Sequence, residues 1–127
     1  MKNIVTAANA PAAIGPYSQA AEHQGVIYVS GQLPLDPATG ALCQGDIQSQ
    51  TRLILTNISH ILEAGGGSLA NVLKATILLK DMADFAAVNE AYAGFFPANP
   101  PARVCYQVAA LPKNADIEIE VIAAKGE

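Results

Sequence analysis

Apolar and polar residues alternate most regularly near the end of the chain, where Asp116-Ile117-Glu118-Ile119-Glu120-Val121-Ile122 reads as a β-strand. Side chains alternate across a sheet, so Ile117, Ile119, Val121 and Ala123 share one face. Glu118, Glu120, Ile122 and Ala124 share the other. Arg103 to Val108 reads as a second strand, entered through Pro100-Pro101, and Leu111-Pro112-Lys113-Asn114-Ala115 between the two has turn chemistry. The pair is predicted to form a terminal hairpin. Upstream, Gly25 to Ser30 is a β-branched strand broken by Gly31, and Gln32 to Leu35 leads into a turn at Asp36-Pro37-Ala38-Thr39-Gly40. Val72 to Lys80 is a further strand, and its leucine-rich end predicts burial on both faces.

Two stretches change to a helical period. Asp46 suits an N-cap, and Ile47, Ile54, Ile58, Ile61 and Leu62 then form one stripe ending at Gly65-Gly66-Gly67, which predicts a helix over 46–64. His60 lies off that stripe, on the solvent side. Asp81 or Asp84 caps a second helix with Phe85, Val88, Asn89, Tyr92 and Phe96 on one side, stopped by Pro97 and Pro100-Pro101. The order is strands, helix, strand, helix, two strands. It predicts an α+β domain in which two helices cover one face of a mixed sheet. Residues 1–20 carry too much proline and glycine for a helix and too much apolar surface for a loose tail, so they are expected to pack on the body as an ordered loop.

Composition adds an assembly expectation. The 127 residues are most simply one domain, 1–127. Hydrophobic residues make up 51% and charged residues only 14%, below the roughly 25% usual in soluble domains. Such a shortage of charge implies surface hidden from water. No apolar run approaches the roughly 20 residues that span a bilayer, which favours a homo-oligomer over a membrane partner. The net charge of −4, with seven scattered Lys and Arg, argues against nucleic acid. Met1-Lys2-Asn3-Ile4-Val5 lacks the apolar core of a secretion signal, so a cytoplasmic location is expected. Cys43, Cys105, His23 and His60 have no metal-ligand spacing, and reduced thiols are the plain reading.

Arg103 and Glu120 are the leading chemical candidates. An arginine at a stiff strand entry can grip a carboxylate through two parallel hydrogen bonds, and a cross-strand ion pair with Glu120 or Glu118 is the equally weighted structural reading. Glu120, on a face that turns apolar, must pair, hydrogen-bond or shift upward in pKa. Tyr17, after Gly15-Pro16, either leans over a cleft or is buried with its hydroxyl satisfied. Ser30-Gly31 offers a hydroxyl and an approachable backbone, or is simply a strand end or bulge. Asn89, polar on a packing stripe, implies a hydrogen bond to backbone or ligand.

Gly15-Pro16-Tyr17-Ser18-Gln19-Ala20, Val29-Ser30-Gly31-Gln32, Pro101-Ala102-Arg103 and Ile117-Glu118-Ile119-Glu120 together resemble the Rid (reactive intermediate deaminase, YjgF or UK-type) family, in order and over essentially the whole chain. The resemblance implies a chorismate-mutase-like fold, a homotrimer with clefts between subunits, and no cofactor or metal. It implies hydrolysis of 2-imino acids and their enamine tautomers, such as 2-aminoacrylate, to 2-keto acids and ammonia, protecting PLP enzymes from damage. Carried onto this chain, Arg103 binds the substrate carboxylate, backbone at Cys105 holds the imine end without its thiol acting as nucleophile, and Glu120 serves the attacking water with its pKa moved toward neutrality. Tyr17, Ser30, Gly31 and Asn89 line the cleft. Val104 stands where many relatives carry a small polar residue and the 97–100 loop is short, so substrate size is the property least carried over. A second reading is a trimeric module that binds 2-keto acids without turnover, using Arg103 alone. Ribonuclease activity, attached to some relatives, is disfavoured by the acidic charge.

Overall fold

A computed structural model describes residues 1–126. The elements are β1 (Asn3–Val5), β2 (Ala20–His23), β3 (Val26–Gln32), α1 (Ile47–Ala64), β4 (Val72–Leu79), α2 (Phe85–Ala93), β5 (Ala102–Gln107) and β6 (Ile117–Ala124). The six strands form one sheet in the order β1-β2-β3-β6-β4-β5. Among the described residues only β4 and β5 run parallel; every other neighbouring pair is antiparallel. The sheet is therefore mixed, and both helices lie to one side of it.

The helix α1 forms as its pattern predicts. The Asp46 carboxylate accepts the Ser49 N–H at 2.8 Å, relieving one of the unpaired donors of the first turn. Ile54, Leu55, Ile58, Ile61 and Leu62 are fully buried, and α1 packs on β3, β6 and α2. The sheet answers with Ile27, Ile77, Leu79, Ile117, Ile119 and Val121, all 2% exposed or less. Burying each such side chain stabilises the fold by about 1.5–3 kcal/mol relative to exposure. At the helix end, Gly66 takes a left-handed φ of +87°, and Gly67 is pressed so close that an added Cβ would sit 3.0 Å from Ile27 Cδ1.

The terminal hairpin does not form. β6 lies between β3 and β4, so that Ile77 of β4 faces Ile119 on one side and Cys105 of β5 on the other. Alternation identifies strands but not their partners. The crossover through α2 returns the chain parallel to β4, as a strand-helix-strand unit requires, and β5 takes the sheet edge. A turn at Pro112–Asn114, with Lys113 and Asn114 both left-handed (φ 58° and 54°), then carries the chain back past β4 into the gap beside β3. β4 also differs from expectation. Ala75, Ile77 and Leu79 are buried, while Thr76 and Leu78 on its other face are only partly covered.

The expected ordered loop after β1 is built around one buried residue. The Gln19 side chain accepts the Ala7 N–H at 2.6 Å and donates to the Ala7 and Pro11 carbonyls at 3.1 and 2.8 Å. The short strands on either side of this loop, β1 and β2, carry too few alternating residues to announce themselves in sequence. His60 Nδ1 donates to the Asn9 carbonyl at 3.0 Å, tying α1 to the same loop rather than standing free in solvent.

Candidate functional site

Strand register divides the candidate residues between the two sides of the sheet. Arg103 and Cys105 pair with Ala75 and Ile77, which face the helices, so both project to the helix side at the edge strand. There the Arg103 guanidinium donates to Asn89 Oδ1 at 2.7 Å, and its Cζ lies 5.0 Å from the Tyr92 ring centroid and 5.6 Å from that of Phe85. Asn89 thus makes a hydrogen bond, but its partner is the Arg103 side chain rather than the backbone or ligand expected. An open pocket of about 420 Å³ adjoins this group, walled by Tyr92, Phe96, Pro100, Pro101 and Arg103. Cys105 is half-buried, and burial pushes its thiol up in pKa against the opposing pull of Arg103. The thiol stays protonated at neutral pH and is a poor nucleophile.

The open side holds the acidic half. Register slips between Val29 and Gln32 of β3, making Ser30-Gly31 a bulge within the strand and not its end. The Glu118 carboxylate fits directly over Gly31, where any Cβ would overlap it. Burial, followed by repulsion from Glu120, raises the Glu118 pKa above the usual 4.5. Glu120 itself is exposed in the single chain. Glu118, two residues before Glu120, is thus a carboxyl on this side whose pKa burial raises. Both glutamates have the same parity in an Ile-Glu-Ile-Glu run, so alternation could not separate them. Only the pairing of β6 with the bulged β3 does.

Ser30 and Tyr17 belong to this open side. Ser30 Oγ donates to the Ser18 carbonyl at 2.6 Å and Ser30 N–H to the Gln19 carbonyl at 2.9 Å, so its hydroxyl proton is already engaged. Tyr17 is 52% exposed rather than buried. It lines an open pocket of about 520 Å³ with Ser30, Tyr28 and Lys2.

The equally weighted Arg103–Glu120 or Arg103–Glu118 ion pair is corrected by the same register. β4 stands between β5 and β6, and Arg103 projects to the helix side while Glu118 and Glu120 project to the other. Within one chain the site has two halves. One offers a guanidinium, a protonated thiol and an amide; the other offers a carboxyl of raised pKa, a hydroxyl and a bare glycine backbone. Among the described residues no cluster of His, Cys, Asp and Glu has the arrangement to hold a metal ion, and no helix is long and apolar enough to cross a membrane.

The profile of the endoribonuclease L-PSP family matches residues 7–125. A goat (Capra hircus) protein named 2-iminobutanoate/2-iminopropanoate deaminase is 52% identical over 99% of this chain and 92% of its own length. An Arabidopsis thaliana protein named Reactive Intermediate Deaminase A, chloroplastic, is 51% identical over 96% of this chain and 65% of its own length. The crystal structure of Escherichia coli TdcF with bound serine superimposes with a TM-score of 0.92 at 42% identity, covering 98% of this chain and 99% of that one. With the fold, the length and the motif residues all in agreement, the chain belongs to the endoribonuclease L-PSP family, known also as the Rid or YjgF family.

Proposed function

We propose that this chain hydrolyses 2-imino acids and their enamine tautomers, including 2-aminoacrylate, 2-iminopropanoate and 2-iminobutanoate, to 2-keto acids and ammonia. The observation that carries the reading is the division of complementary chemistry between the two sides of one sheet. The relatives' names support the reaction class, and the serine held by TdcF carries the same small carboxylate that Arg103 would receive.

Arg103 anchors the substrate carboxylate. Asn89 takes one of its five N–H groups, and enough remain for a bidentate pair. Backbone at Cys105 holds the imine nitrogen. Water adds to the C=N carbon, and the resulting carbinolamine expels ammonia to leave the ketone. Glu118 is the acid–base group: a carboxyl raised by burial can take a proton from the attacking water and return it to the leaving nitrogen. This moves to Glu118 the role expected of Glu120. The imine is already electrophilic, so orientation and one proton carrier suffice. Tyr17, Ser30 and Gly31 wall the cleft on the acidic side.

The two halves meet only if the open side of one copy faces the arginine edge of the next. We therefore place the cleft between subunits of a homotrimer of chorismate-mutase-like, single-domain chains spanning 1–127. Exposed Tyr28 and Tyr106, 51% and 50% accessible in the isolated chain, would be covered there. The cellular role is removal of reactive enamines before they damage PLP enzymes, in the cytoplasm. Nucleic acid is not the partner, because seven scattered basic residues under a net charge of −4 give a phosphate backbone little to bind.

The test is the rate of 2-keto acid release from 2-aminoacrylate generated by a serine or threonine dehydratase. Acceleration by the wild type, reduced about tenfold to a hundredfold in Arg103→Ala, supports the deaminase. Absence of acceleration by either, with 2-ketobutyrate binding retained by the wild type, would leave a carboxylate-binding module without turnover.

A further inference from the structure

Three side chains of α2 converge on one guanidinium. Phe85, Asn89 and Tyr92 stand four and three residues apart and so share one stripe of the helix. Asn89 Oδ1 accepts from Arg103 at 2.7 Å, while the Phe85 and Tyr92 rings hold its Cζ at 5.6 and 5.0 Å. Both rings are within the roughly 6 Å over which an aromatic face attracts a cation. Tyr92 is fixed in turn by Phe96, with centroids 4.6 Å apart and planes 36° to each other, and it is only 5% exposed. Support therefore runs from the core, through Phe96 and Tyr92, to the arginine.

Arg103 itself is exposed on an edge strand. A long side chain in that position samples many rotamers, and a ligand that needs one of them must offset the lost freedom. Two ring faces and one amide remove much of that freedom before the ligand arrives. The contribution of Tyr92 is its ring: among the described residues its hydroxyl is buried without a hydrogen-bond partner, and burial raises its pKa so that it stays neutral beside the guanidinium.

We infer that Phe85 and Tyr92 are positioning residues, whose ring faces fix the plane of Arg103 and thereby set the affinity of the site for small 2-keto and 2-imino carboxylates. The inference rests on Arg103 being the carboxylate anchor. It assigns the aromatics of the second helix's packing stripe a share in substrate binding.

The experiment is calorimetric titration with 2-ketobutyrate, with KM and kcat measured in parallel, on wild type, Arg103→Ala, Tyr92→Leu, Tyr92→Phe and Phe85→Leu. Tyr92→Leu is expected to weaken binding about threefold to thirtyfold and to raise KM while kcat changes little. Tyr92→Phe, which keeps the ring, should restore binding to within about twofold of wild type. Phe85→Leu, at a half-buried position, should weaken binding in the same direction. A purely structural defect would instead lower the active fraction, and with it kcat, leaving KM unchanged. Wild-type affinity in Tyr92→Leu and Phe85→Leu, alongside lost binding in Arg103→Ala, would overturn the inference and leave the anchor standing. Failure of Tyr92→Phe to restore binding would overturn it too. Wild-type affinity in Arg103→Ala would remove the anchor itself.

Discussion

On the side of the sheet covered by α1 and α2, Ile27, Ile77, Leu79, Ile117 and Ile119 are sealed from solvent; on the other side Tyr28 and Tyr106 keep about half their surface, 51% and 50%. Both sides are rich in apolar residues, yet only one is satisfied within the chain. The covered side has packed helices and, at its edge, an arginine held by Asn89. The open side has a bulge, an arginine-free row of half-covered residues and a carboxyl whose protonation depends on its surroundings. Stability therefore resides on one side, and on the other lie the groups that the proposed assembly and its substrate would cover.

The comparison is broken most severely by placing charge on the open side. Tyr28→Glu combined with Tyr106→Glu should abolish deaminase activity and yield monomers by sedimentation, while circular dichroism keeps the native helix signal, since neither side chain touches the core. Ile58→Ala, on the covered side, should do the reverse. It should cost about 2–5 kcal/mol in denaturant unfolding with assembly unchanged below the transition.

A finer break is Gly31→Ala. The new methyl would displace the Glu118 carboxylate, the flexible end of a side chain, so turnover should fall about a hundredfold while the melting temperature moves little. The smallest effect is in pH dependence. Because the folded state raises the Glu118 pKa above 4.5, the native chain binds that proton more tightly than the unfolded chain does. This group's contribution is thus fully favourable below about pH 4.5 and is lost as pH rises through the folded pKa. Thermal unfolding between pH 4 and 7 should show a shallower decline in Glu118→Gln than in the wild type.

Much of this was legible in the residues. The stripe from Ile47 to Leu62 and its Asp46 cap place α1 where it is found, and the alternation through Ile117 to Ala124 assigns every side chain of β6 to its correct face. Arg103 and Asn89 stood out as polar groups on rigid elements, and they prove to be bonded to each other. What periodicity could not supply was pairing. A strand's period is the same whichever neighbour it has, so the hairpin expectation failed and periodicity could not rank Glu118 against Glu120 within β6. Their difference comes from the Ser30-Gly31 bulge across the ladder, a contact between residues almost ninety positions apart. β1 and β2 were missed for a simpler reason, having three and four residues each.

The central claim is that Arg103 and Glu118 act together from different copies of the chain. Arg103→Ala and Glu118→Gln, each nearly inactive alone, can be unfolded, mixed in equal amounts and refolded together. If each cleft takes its arginine from one subunit and its carboxyl from the next, about a quarter of the clefts in the mixture are intact, and activity should return to that fraction of wild type. Activity that stays at the level of the separate variants, despite verified mixed assemblies, would contradict the shared cleft.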